Sequence, residues 1–163
     1  MILLSGKITL KGVVDEDFVN YKVPSMTLMF PKCTFKCGKD LCQNSDLAKA
    51  KNITVNTFSL CKRYLNNPIT QAVVMQGMEP LDSWNEVQEF IWTLRISFEC
   101  QDPIVIYTGY NKDEIADEIH ELRMIAPNII VKFGRFIPNQ EPHYDEVLGV
   151  KLASDNQYAE RIS

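Results

Sequence analysis

Cys33, Cys37 and Cys42 fall within a single run, Pro31-Lys32-Cys33-Thr34-Phe35-Lys36-Cys37-Gly38-Lys39-Asp40-Leu41-Cys42. Three thiolates in so short a stretch can bind Zn²⁺ or an iron–sulfur cluster. Structural zinc sites close with four ligands, commonly from two paired knuckles. The other two cysteines, Cys61 and Cys100, stand singly in helical contexts with no second C-x-x-C. They read as small apolar core residues, leaving His120 and His143 as the candidates to complete a zinc site. An iron–sulfur cluster held by three side chains leaves one iron open, and an open iron can chelate the amino and carboxylate groups of a small molecule. Lys32, Lys36 and Lys39 interleave the cysteines, where their charge offsets that of thiolates and favours the deprotonated form.

Such a loop needs a scaffold, and the flanking sequence supplies one. Residues 26–30 (Met-Thr-Leu-Met-Phe) form a short apolar run that ends at Pro31, a buried strand opening into the cysteine loop. Further apolar strands are expected at 72–75, 103–107 and 128–133. Helices are expected near 55–65, stopped by Asn66-Asn67-Pro68, and from Ser83, where Ser83 and Glu86 form a capping-box pattern. That helix has Val87, Phe90, Ile91 and Leu94 on one face. A third helix is expected from Asn111, with Glu114 three residues on and Ile115, Ile119 and Leu122 as its stripe. β-Branched runs without polar alternation suit strands covered on both faces, and strands alternating with helices imply βα units around a parallel sheet. In such folds chemistry gathers at the carboxyl ends of the strands. The cysteine loop, the segment 77–80 and the segment 108–110 each follow a strand, so all three are expected at one rim. Lys7 to Leu10 alternates and is expected to add a strand.

The chain has 163 residues, enough for one domain with a sizeable core. We expect a single α/β domain over 1–163, with its core at about 26–137 and a polar tail at 138–163. There are 17 basic and 21 acidic residues, net -4, with no long basic run, which argues against a nucleic-acid partner. No apolar stretch approaches the about 20 residues that cross a bilayer, and no export signal is evident at the N-terminus. The expected setting is a reducing cytoplasm, where five cysteines point to ligands, reactive thiols or core residues rather than disulfides.

The cysteine run resembles the signature of the radical S-adenosylmethionine superfamily. That signature is C-x3-C-x2-C; here it is C-x3-C-x4-C, with the second spacing longer by two. Leu41 stands where the superfamily carries an apolar or aromatic residue beside the adenine. Gly77-Met78-Glu79-Pro80 is similar to its G-G-E-P segment, with Met78 in place of the second glycine, and that segment meets the ammonium of the methionine moiety. Tyr107-Thr108-Gly109-Tyr110, Phe133-Gly134-Arg135-Phe136-Ile137 and Ser154-Asp155-Asn156-Gln157 resemble, in order, the T-G-Y, D-G-x-F-I and S-x-N-Q segments of the activases of anaerobic ribonucleotide reductase. Phe133 stands where that family has an acid. The resemblance implies a partial (βα) barrel and a [4Fe–4S] cluster on Cys33, Cys37 and Cys42. It implies S-adenosylmethionine bound near Leu41, Gly77, Met78, Glu79, Pro80 and Thr108. The implied chemistry is reductive cleavage of S-adenosylmethionine to methionine and a 5′-deoxyadenosyl radical, which takes a hydrogen atom from a glycine of a large partner enzyme. A low-potential donor such as flavodoxin or ferredoxin supplies the electron. The rival readings are a radical enzyme of the same superfamily acting on a peptide, nucleotide or small metabolite, a non-catalytic cluster protein, and a zinc-stabilised binding module.

Overall fold

The computed structural model describes residues 4–34 and 45–163. Six strands form the main sheet in the order β10-β7-β6-β5-β3-β2. They are β2 (Gly12–Asp17), β3 (Ser25–Phe30), β5 (Ala72–Gly77), β6 (Ile104–Tyr107), β7 (Ile129–Phe133) and β10 (Tyr158–Arg161). The central four are parallel, and β2 and β10 border them antiparallel. β1 (Lys7–Leu10) pairs with β4 (Ile53–Asn56), and β8 (His143–Asp145) with β9 (Val150–Leu152). The helices are α1 (Ser45–Lys49), α2 (Thr57–Leu65), α3 (Trp84–Trp92) and α4 (Ala116–Ile125). None is long and apolar enough to cross a membrane.

The four parallel strands are neighbours in the order in which the chain makes them, joined by α2, α3 and α4. The order never reverses, so all three crossover helices can lie on one face, and the packing bears this out. The buried helix residues Leu60, Tyr64, Val87, Phe90, Ile91, Ile119 and Leu122 cluster with Met26, Leu28, Phe30, Val73, Met75, Ile104, Ile106, Ile129, Val131 and Phe133. Successive strand residues point to opposite faces, and the alternate set, Ala72, Val74, Val105 and Ile130, packs instead with Tyr21, Leu148 and Leu152 from loops and hairpin. Both faces are therefore covered, but by different material, which explains the unbroken apolar runs in the sequence.

The face away from the helices is graded along the strands. Its lower row, Thr27, Val74, Val105 and Ile130, is aligned across the sheet. The next row towards the carboxyl ends pairs Met29 with Gln76 and Tyr107 with Lys132. Polar groups thus accumulate on the helix-free face just below the rim. Tyr107 donates to Asn20 O (2.5 Å), drawing the loop after β2 over that face. Asp17 holds the same loop through Val19 N, Asn20 N and Asn20 Nδ2 and accepts from Thr27 Oγ1.

Both borders of the sheet carry charge. The β2 border has a register shift between Val14 and Asp17, and Asp15 is paired bidentately with Arg63 from α2. On β10, Glu160 is paired with Lys112 (2.9 Å). The stretch after 138, read from sequence as a polar tail, supplies the β8–β9 hairpin and the sixth strand. The capping box at Asn111 is present: Asn111 N donates to Glu114 Oε1 (2.9 Å). The one expected at Ser83 is absent. A 3₁₀ turn, Pro80–Ser83, starts the helix earlier, and the Glu86 carboxylate instead accepts from Thr9 N of β1.

Candidate functional site

The loops after β3, β5 and β6 meet at one rim, joined by hydrogen bonds. The β5 loop docks on the β3 exit through Met78 N to Phe30 O (3.0 Å) and Glu79 N to Lys32 O (2.7 Å). This approach needs Gly77, whose φ is +96°; a Cβ there would lie 2.6 Å from Phe30 N. Met78 has an ordinary φ, so its backbone accepts a side chain where the G-G-E-P pattern has glycine.

Glu79 is the centre of the rim and is 1% exposed. Its Oε1 accepts from Thr108 Oγ1 (3.0 Å) and Gly109 N (2.7 Å), and its Oε2 from Leu81 N (3.0 Å). Thr108 Oγ1 accepts in turn from Tyr110 N (3.0 Å). The side chain caps the 3₁₀ turn that Pro80 begins. Burial pushes the Glu79 carboxyl up to about 7, against the pull of these three donors. Among the described residues, no lysine or arginine nitrogen lies within ion-pair distance of it. A carboxylate sunk this deeply without a cation costs stability.

Cys33 is half-buried at the exit of β3. Thr34, next in the chain, donates its N–H (2.8 Å) and hydroxyl (3.1 Å) to Asp82 Oδ2. Asp82 Oδ1 accepts from the Tyr110 hydroxyl (2.7 Å), which lies 3.3 Å from Thr34 Oγ1. Cys37, Leu41 and Cys42 lie outside the described residues. The remaining residues singled out by sequence, Gly77, Met78, Glu79, Pro80 and Thr108, are all at this rim. Tyr110 joins them, whereas Arg135 is exposed and reaches Glu114 (3.8 Å).

Two residues of the rim were not anticipated. Lys132 of β7 is 7% exposed, and its Nζ donates to Gly134 O (2.9 Å) and Thr108 O (3.4 Å). Burial pulls its ammonium down to about 8. A lysine inside Ile-Ile-Val-Lys-Phe was a usable signal, because a central strand gives it nowhere wet to go. Asp82 carried no signal, since an acid in a turn is commonplace. Phe133 is fully buried on the helix side, its ring 5.2 Å from that of Tyr158. The Ser154–Gln157 segment clamps the β7 exit: Gln157 Nε2 donates to Gly134 O (3.2 Å) and Asn156 Nδ2 to Arg135 O (2.8 Å).

The two solitary cysteines behave as core thiols. Cys61 is fully buried and pushed up to about 12, and Cys100 is raised as well, in both cases chiefly by burial. Neither environment favours the thiolate a metal needs. Of the three cysteines of the loop, Cys33 is the one among the described residues, and the carbonyl before it, on Lys32, accepts from the main chain of the buried Glu79. Three cysteines so close in sequence, with the other two thiols disfavoured as ligands by burial, suit an iron–sulfur cluster.

Comparison with protein families gives a match over residues 24–157 to the 4Fe-4S single cluster domain. No curated protein and no solved structure gives a match.

Proposed function

The chain belongs to the 4Fe-4S single cluster domain family, and from that premise we propose that it is a radical S-adenosylmethionine enzyme that activates a glycyl-radical protein. Cys33, Cys37 and Cys42 are the ligands, with the fourth iron left to the cosubstrate. When bound and reduced, the cluster supplies the electron that cleaves S-adenosylmethionine to methionine and a 5′-deoxyadenosyl radical.

The observation that carries this reading is Glu79. Its carboxylate is held by three donors, lacks a cation among the described residues, and sits at the rim where the first cysteine leaves its strand. An ammonium group is a natural complement to such an acceptor. Thr108 and Gly109 orient this acceptor, Gly77 allows its turn to reach β3, and the resemblance assigns Leu41 to the adenine. The unreversed strand order, with crossover helices on one face, supports a partial (βα) barrel. A partner loop carrying the target glycine enters at the rim of loops, and flavodoxin or ferredoxin delivers the electron.

The deciding experiment is anaerobic reconstitution and reduction with S-adenosylmethionine. Formation of 5′-deoxyadenosine, lost in Glu79→Ala with the iron content unchanged, is the expected result. A reconstituted protein that neither binds nor cleaves S-adenosylmethionine would be an electron carrier, and the proposal would fall. The longer cysteine spacing, Met78 in place of a glycine and Phe133 in place of an acid depart from the pattern of the resemblance. They favour, as a second reading, a divergent radical enzyme with a peptide, nucleotide or small metabolite as target. A glycyl radical detected on a co-purifying protein separates the two.

A further inference from the structure

Both peptide units that flank Cys33 are fastened to the same short turn. The carbonyl before it, on Lys32, accepts from Glu79 N (2.7 Å), and the N–H after it, on Thr34, donates to Asp82 Oδ2 (2.8 Å). Glu79 and Asp82 are tied to each other by the bond from Asp82 N to Glu79 O (3.1 Å). The residue that begins the cysteine motif and the carboxylate at the centre of the rim therefore belong to one hydrogen-bonded frame. Lys32 and Glu79 contribute to that frame only through main-chain atoms, so no side-chain substitution removes their bond directly. The other fastening depends on a single side chain, Asp82. Its Oδ2 takes two donors from Thr34, and its Oδ1 takes the Tyr110 hydroxyl (2.7 Å), which fixes the plane of the carboxylate from the β6 loop.

We propose that Asp82 is a positioning residue, which holds Cys33 at a fixed approach to the Glu79 turn and so sets the spacing between the cluster and the group that Glu79 receives. The proposal rests on the function given above and adds to it. A ligand that chelates the open iron at one point and meets Glu79 at another has to span a set distance, and preorganising both ends removes the cost of ordering them on binding. Hydrogen bonds to a charged acceptor are the stronger kind. Asp82 brings three of them to Thr34 and Tyr110, two residues outside helix and strand. Tyr110 acts on the same frame one step further out.

The test compares wild type, Asp82→Ala and Tyr110→Phe as full-length, anaerobically reconstituted proteins. Three quantities are read: the melting temperature, the rate at which a chelator strips iron, and the affinity for S-adenosylmethionine followed by the change it causes in the spectrum of the reduced cluster. In Asp82→Ala, iron uptake is expected to be complete and melting close to wild type. Iron loss is expected to be at least about tenfold faster and S-adenosylmethionine at least about tenfold weaker, the factor that the loss of even one charge-assisted bond brings. Tyr110→Phe keeps the carboxylate but frees its plane, and about a threefold change in the same direction is expected. If Asp82→Ala does not fold, Tyr110→Phe alone decides. Iron loss and affinity matching wild type in the variants that fold would overturn the proposal. A wild-type protein that holds iron but ignores S-adenosylmethionine would instead sink the proposed function, while the iron-loss comparison would still decide the role of Asp82.

Discussion

Replacing Glu79 by glutamine should make the protein gain stability relative to wild type as pH rises, and bind S-adenosylmethionine more weakly. The carboxyl is raised from an ordinary 4.5 to about 7, chiefly by burial. The unfolded chain releases this proton near 4.5, and the folded chain holds it until about 7. Between those values the folded state binds the extra proton, so the stability Glu79 contributes is full below 4.5 and lost as pH rises to about 7. At about 1.4 kcal/mol per pH unit, the loss amounts to about 3 kcal/mol. Glutamine does not titrate. The stability of Glu79→Gln relative to wild type should therefore climb by about 3 kcal/mol between pH 4.5 and pH 8. Any fixed offset from the altered bond to Leu81 N remains constant across the series. Anaerobic urea denaturation at several pH values measures this difference, and other titrating groups cancel in the subtraction. Affinity should move the opposite way, falling about 10- to 100-fold once the charged acceptor is gone. A stability difference that is flat with pH would refute the reasoning, because Glu79 would then be an ordinary ionised carboxylate with its burial fully compensated.

Lys132→Met should act at the other end of the pH scale. The ammonium is pulled from 10.5 to about 8 by burial, so the stability of wild type relative to the variant should rise between about pH 8 and 10.5 in the same denaturation series. Gly77→Ala should cost more than about 2 kcal/mol in a urea midpoint shift, since it combines a positive φ with a Cβ set against the β3 backbone. Met78→Gly should cost under about 1 kcal/mol, the entropic cost of glycine in an ordinary conformation. Alanine at Cys33, Cys37 or Cys42 should abolish cluster assembly by iron and sulfide analysis. Alanine at Cys61 or Cys100 should leave it intact, and loss of iron in either would reassign the ligands.

The four parallel strands were legible because both their faces are covered, which writes them as continuous apolar runs. Their carboxyl ends then located the rim without further information, and the loops after 30, 77 and 107 do meet there. The antiparallel borders were not legible. Gly12–Asp17 is half acidic, and Tyr158–Arg161 is a four-residue strand with two charges; both owe their conformation to neighbours already in place. Ser83 misled for a related reason. Its local pattern asked for a capping box, but β1 offered Glu86 a better donor in Thr9 N. Glu79 could be picked out by its segment, whereas its depth and its partners depend on three loops folding together. Asp82 became visible only once Thr34 and Tyr110, distant in sequence, were seen to share its carboxylate.

The charged, irregular borders of the sheet have a consequence for recognition. A protein target commonly docks by extending a host's sheet with a strand of its own. Here the Arg63–Asp15 pair guards one flank and the Lys112–Glu160 pair the other, and such ornament discourages strand addition. The polypeptide target proposed above would then be turned from the sides towards the crown of loops, with its specificity written in side chains there and not in main-chain pairing.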